Sequence, residues 1–90
     1  MKRLHVFVSG KVQGVSYRYY TTLEAAKYQI SGWVRNLSDG RVEMLAEGSE
    51  EELQQLLNWT YKGSPAAEVS DVNYEWLECR NEFTNFTVTG

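Results

Sequence analysis

Asp39-Gly40 stands between two strand-like runs, Gly32-Trp33-Val34-Arg35-Asn36-Leu37 and Arg41-Val42-Glu43-Met44-Leu45-Ala46. An Asp-Gly pair so placed is a strong signal for an antiparallel hairpin. No other feature restricts the fold as much, since everything before and after must dock on this pair of strands. Upstream, Leu4, Val6 and Val8 alternate with His5, Phe7 and Ser9, the period of a half-buried strand over Arg3 to Ser9. Gly10 to Tyr17 then shows no sustained period, whereas Tyr19, Leu23, Ala26 and Ile30 recur at helical spacing after Arg18. Downstream, Ser49 with Glu52 forms a capping-box pattern, and Glu50 and Glu51 suit the positive end of a helix dipole. Leu53, Leu56 and Leu57 follow on one face, Lys62-Gly63 supplies a stop and Pro65 lies just beyond. Val72, Tyr74 and Trp76 alternate in a further strand, and Phe86 with Val88 predicts a short terminal one.

The predicted order is strand, helix, strand, strand, helix, strand and a tail strand. This is the α+β, ferredoxin-like split-βαβ arrangement: an antiparallel sheet with both helices on one face. Ninety residues, 42% of them hydrophobic, fill one core, so residues 1–90 are expected to form a single domain. No run approaches the ~20 apolar residues of a membrane helix, and the N-terminus lacks the apolar stretch of a signal peptide, so a cytoplasmic protein without a membrane partner is expected. A net charge of -3 and scattered basic residues disfavour nucleic acid.

In that topology the first and second strands run the same way, each antiparallel to the third between them, and their C-terminal ends share one rim. The loop Gly10-Lys11-Val12-Gln13-Gly14-Val15-Ser16-Tyr17-Arg18, the start of the first helix and Asn36 therefore meet, although they are far apart in sequence. The loop offers backbone N–H groups, Gly14 allows close approach to a ligand, and a helix N-terminus favours an anion. Arg18 adds a planar fork suited to phosphate oxygens. No Gly-Lys-Ser/Thr triplet follows Gly14, so this is not a nucleotide-triphosphate loop. The one cysteine, Cys79, cannot close an internal disulfide and reads as a strand side chain, and no cluster has the spacing of metal ligands. His5 reads as a satisfied or exposed strand residue, Glu50-Glu51-Glu52 as a solvated helix start, and Trp33, Trp59 and Trp76 as packing residues.

The nonamer resembles the signature of the acylphosphatase family, and Gly32-Trp33-Val34-Arg35-Asn36 resembles that family's second motif at matching separation. The resemblance continues through Asp39-Gly40-Arg41-Val42-Glu43, Ala46-Glu47-Gly48, Trp59, Gly63-Ser64-Pro65 and Phe86, nearly the whole chain. It implies that Arg18 and the backbone amides of Gln13, Gly14, Val15, Ser16 and Tyr17 bind the phosphate of an acyl phosphate, while Asn36 orients a water for in-line attack. The implied reaction hydrolyses a carboxylic-phosphoric anhydride to carboxylate and inorganic phosphate with no cofactor and no metal. Inorganic phosphate or sulfate would compete as anions, and a monomer is expected.

Ser16 and Tyr17 stand where many members carry glycine and phenylalanine, which leaves every loop N–H in place and suggests a tyrosine hydroxyl near the rim. Gln29 replaces a common helix-ending glycine, at a cost of roughly 1 kcal/mol if the turn keeps positive φ. Ser49 replaces a common proline and is itself a good N-cap. The rival reading is a non-catalytic anion-binding or protein-interaction domain that keeps the loop. RNA binding would expect aromatics on the third strand, and Arg41–Ala46 has none.

Overall fold

A computed structural model describes residues 1–89. Strand β1 (Lys2–Lys11) leads into helix α1 (Tyr17–Lys27), and the hairpin strands β2 (Ser31–Asn36) and β3 (Val42–Gly48) follow. Helix α2 (Glu50–Thr60), strand β4 (Glu68–Glu78) and the short β5 (Phe86–Val88) complete the chain. The sheet order is β4-β1-β3-β2-β5. β1 pairs antiparallel with β3 and β4, and β2 antiparallel with β3. One part of the expected sheet is corrected: β5 runs parallel to β2, so the sheet is mixed rather than wholly antiparallel.

The alternation in β1 does what its period predicts. Leu4, Val6 and Val8 lie opposite Ala46, Met44 and Val42 of β3, and all are fully buried with Leu53 and Leu56 of α2 and Ala25 of α1. Each such side chain taken from water contributes about 1.5–3 kcal/mol, which pins the register, because a slip by one residue would turn the whole row out. On α2, Ser49 Oγ accepts from the Glu52 N–H at 3.1 Å and donates to its carboxylate at 2.9 Å. Helix α2 thus begins capped, with three glutamates in its first turn.

Helix α1 exists as predicted but buries a different face. Tyr17, Thr21 and Ala25 point inward, whereas Tyr19 is 60% and Leu23 43% exposed and Ala26 is also exposed. Ile30 is buried beyond the helix end. The inward threonine is tolerated because its hydroxyl donates to Tyr17 O at 2.8 Å, leaving no unpaired polar group. In β4, Tyr74 faces the helix side opposite Val6, but β4 is an edge strand and Tyr74 remains about half exposed. Cys79 falls just past β4 rather than within it, its thiol 3.5 Å from Asn81 Oδ1. Gln29 does take positive φ, at 56°.

Two features deliver the chain to the rim. β4 carries an extra residue, Ser70, where the pairing of β1 with β4 shifts register between Ser9 and Gly10. Only glycine fits there, since φ is +117° and a Cβ would sit 2.3 Å from Glu68 O. On the sheet face away from the helices, Glu47 accepts the N–H groups of Arg80 at 2.7 Å and Glu82 at 3.2 Å, and Arg3 at 3.0 Å. Arg3 also pairs with Glu82, so the segment between β4 and β5 is tied down before β5 returns beside β2. His5 is satisfied by Glu43 at 2.6 Å, and Arg35 shares that carboxylate, so neither is free for chemistry.

Candidate active site

The end of β1, the start of α1, and the ends of β2 and β5 enclose a cavity of about 450 Å³. Gly14, Ser16, Tyr17 and Arg18 form one part of its wall and Asn36 another, with Val12, Tyr19 and Val88 completing it. Arg18 and Asn36, separated by the whole of α1 and β2 in sequence, thus border one space, as the parallel course of β1 and β2 requires.

The α1 end of this cavity is arranged for an anion. Gly14 and Ser16 have φ of 73° and 63°, bringing the loop through two left-handed turns that a serine adopts only at a cost of about 1 kcal/mol. Ser16 occupies the N-cap position without a side-chain hydrogen bond, and the first turn of α1 holds no acidic residue. The first intrahelical donor is the Tyr20 N–H, to Ser16 O at 3.1 Å. The N–H groups of Tyr17, Arg18 and Tyr19 come before it and point out of the helix start, where an anion would satisfy them. The contrast with the capped and acidic start of α2 is complete. Arg18 has no carboxylate partner among the described residues, although Arg3, Lys27, Arg35 and Arg41 each have one.

Asn36 ends β2, paired with Val42, and its Oδ1 is buried with no hydrogen-bond partner. An orphaned amide oxygen costs about 1–3 kcal/mol, so a strand residue that only needed to fit would not be asparagine here. Asn36 is nonetheless one of the residues that line the cavity.

Not every expected loop residue reaches the wall. Gln13 spends its side chain elsewhere: Nε2 donates to Leu37 O at 2.7 Å and Arg41 O at 3.0 Å, clamping the loop to the β2–β3 turn. Val15 packs on the core, and its carbonyl accepts the Ser64 hydroxyl at 2.7 Å. Tyr17 overturns the expectation of a hydroxyl near the rim. Its ring is buried against Trp59, and its hydroxyl donates to Thr60 O at 2.8 Å. Burial pushes that phenol well above its ordinary pKa, so it remains a neutral donor. A side chain at Gly63 would strike the ring, with Cβ 2.4 Å from it, so the loop and the end of α2 are fitted to each other.

Tyr19 and Val88 escaped the sequence reading as wall residues. Tyr19 could have been found from its place beside Arg18 in the first turn, but Val88 depends on β5 lying next to β2, which no local pattern announces. Among the described residues, no three His, Cys, Asp or Glu side chains gather as metal ligands, and no helix is long and apolar enough to cross a membrane.

Comparison with known proteins gives the family. The model of the acylphosphatase family matches residues 4–88. An acylphosphatase of Chloroflexus aurantiacus is 49% identical over 86 residues, 96% of this chain and 94% of the relative. One of Methylococcus capsulatus is 47% identical over 88 residues, 98% and 96% of the two chains. The crystal structure of acylphosphatase from Bacillus subtilis superposes with a TM-score of 0.96 at 38% identity, covering the whole of both chains.

Proposed function

Because the chain belongs to the acylphosphatase family and is a hydrolase of acyl phosphates, we propose that Arg18 and the loop amides hold the phosphoryl group while Asn36 positions the attacking water. The observation that carries this assignment is the pairing of an unpartnered guanidinium at an uncapped helix start with an orphaned amide on the same cavity. Arg18 would grip two phosphoryl oxygens with its fork, and the N–H groups from Gln13 to Tyr17 would serve the rest, with Gly14, Ser16 and Tyr17 on the wall and best placed.

The reaction then asks little of side-chain acids or bases. Water attacks phosphorus in line, the bond from phosphorus to the acyl oxygen breaks, and the carboxylate leaves with the electron pair. Its conjugate acid has a pKa of about 4, so it departs without prior protonation. The proton from the water passes to an oxygen of the transferred phosphoryl group. What remains is positioning and charge stabilisation, which Arg18, the amides and Asn36 supply without a metal. The rival reading, an anion-binding or interaction domain without catalysis, is not favoured by acylphosphatases that match the chain end to end.

The test is phosphate release from acetyl phosphate in excess chelator, beside an ordinary phosphomonoester. Acetyl phosphate should be cleaved at the rate seen without chelator and the monoester should not. Activity lost to chelator and restored by a divalent metal would overturn the metal-free mechanism.

A further inference from the structure

The loop and Asn36 reach the cavity on separate parts of the chain, and little in the sheet sets the distance between them. The ladder of β1 with β3 stops at Val8 opposite Val42, and the last residues of β1 pair with β4, on the side away from β2. Ser64 and the Tyr17 hydroxyl tie the loop and the first turn of α1 to the end of α2 and the residues just after it. Toward β2, the tie among the described residues is the Gln13 side chain. Its Nε2 donates to Leu37 O at 2.7 Å and to Arg41 O at 3.0 Å, which uses both of its hydrogens. These are the two carbonyls that close the β2–β3 turn: Leu37 O also accepts the Gly40 N–H at 3.2 Å, and Arg41 O the Leu37 N–H at 2.8 Å. The amide thus takes the second acceptor position of each carbonyl and grips the turn on both sides of its neck. Gly14 follows Gln13 and Leu37 follows Asn36, so the clamp joins the immediate neighbours of two residues on the cavity wall. Asn36 has no such hold of its own, since its Oδ1 lacks a partner, and its aim depends on where its backbone is placed.

Resting on the roles proposed above for Arg18 and Asn36, we infer that Gln13 is a positioning residue for the reaction, its side chain setting the place of Asn36 relative to the anion loop. That side chain touches neither substrate nor water. Its work is geometric: in-line attack needs reacting atoms about 3–3.5 Å apart and aligned, and a displacement of about 1 Å costs on the order of a hundredfold in rate. Gln13 therefore governs kcat through Asn36. Phosphate, held by Arg18 and the loop amides on one side of the clamp, is bound equally well without it.

The experiment is a double-mutant cycle: kcat on acetyl phosphate and Ki for inorganic phosphate in wild type, Gln13→Met, Asn36→Ala and the double variant, with thermal unfolding to check each fold. Methionine keeps the length and bulk of glutamine and removes both donors. Gln13→Met should lower kcat roughly tenfold or more and change Ki by less than about twofold. On Asn36→Ala, which should itself lose more than about tenfold, the same substitution should cost less than about twofold, because the residue it acts through is gone. Gln13→Glu adds a pH readout: near neutrality its carboxylate faces two carbonyl oxygens, whereas the protonated acid can donate to one of them. Its kcat relative to wild type should therefore rise as pH falls toward about 5. Equal losses in the two backgrounds, a Ki that rises as kcat falls, a Gln13→Glu ratio flat with pH, or unchanged kcat in Gln13→Met would each overturn the positioning role and leave Arg18 and Asn36 standing. Wild-type kcat in Asn36→Ala would instead overturn the assignment on which the inference rests.

Discussion

Replacing Asn36 with alanine should produce an enzyme that is more stable and nearly inactive. The amide oxygen is buried and unpartnered, a defect of about 1–3 kcal/mol that the substitution removes. Alanine forfeits some packing of a half-buried side chain in exchange, so the net gain should be on the order of 1 kcal/mol, or about 4–8 °C in Tm for a domain of this size. The backbone pairing of Asn36 with Val42 does not involve the side chain and should persist. Turnover should move the other way. If the amide holds the water in line, its loss costs at least ~2 kcal/mol of barrier, more than tenfold in kcat. Affinity for inorganic phosphate should hardly change, because the proposed anion site is Arg18 and the loop amides.

The assay needs one preparation of the folded variant, with kcat on acetyl phosphate, Ki for phosphate and a thermal scan measured side by side. Turnover kept with phosphate binding lost would move Asn36 to the anion site. A less stable variant with normal turnover would make its side chain a packing residue and refute the reasoning from the orphaned oxygen.

Sulfate near a hundredfold its Kd should stabilise wild type by about 2.7 kcal/mol, and Arg18→Ala should flatten that rise in Tm with the fold intact; an equal rise in both proteins would place the anion elsewhere. Gln29→Gly should stabilise by roughly 1 kcal/mol, since the residue sits at φ 56°, and leave kcat unchanged; urea midpoints that coincide would show the turn to be unstrained. Burial alone would raise the pKa of Glu47, but hydrogen bonds from the Arg80 N–H, Arg3 and the Glu82 N–H outweigh it and lower the value. Its contribution is therefore present above the unfolded value of about 4.3 and is lost as pH falls through the lower folded value, so Glu47→Gln should flatten the acid limb of stability. Parallel acid limbs for the two proteins would assign that loss to other carboxylates.

The parts of the fold legible in the sequence are those decided by neighbouring residues. The hairpin followed from Asp39-Gly40, the α2 start from Ser49 and Glu52, and the β1 face from strict alternation. Helix α1 misled because its inward face pairs a tyrosine with a threonine, while apolar Tyr19 and Leu23 stay outside. The inward choice is made by partners distant in sequence: Thr60 O for the Tyr17 hydroxyl, and Gly63 leaving room for its ring. The direction of β5 was equally hidden, since three residues carry no readable period and their placement depends on Glu47 fastening the chain near Arg80 and Glu82. The proposed phosphoryl end of the site lay within two motifs, but Tyr19 and Val88 reach the same cavity from one helix turn and that terminal strand.

Four irregularities of the structure lie on this cavity, and they share one physical meaning. Among the described residues, Ser16 holds a left-handed conformation, α1 starts uncapped, Arg18 has no carboxylate partner, and Asn36 keeps an unpaired oxygen. A free loop would relax each of these defects, so something must hold it. Gln13 fastens the loop to the carbonyls of Leu37 and Arg41, Ser64 fastens Val15, and the buried Tyr17 anchors the first turn of α1 to the end of α2. Gln13 acts twice, because Leu37 follows Asn36 directly, and the clamp therefore fixes the Gly10–Arg18 loop and Asn36, the proposed anion and water sites, relative to each other. Fixed donors cost no reorganisation when charge shifts during the reaction, which is how a site whose described wall holds no histidine or cysteine can still lower a barrier. At the start of α2, Ser49 and three glutamates meet the needs of the helix end from within the chain. At the start of α1 those needs stay open, and on the proposed assignment the phosphoryl group of the substrate is the anion that would meet them.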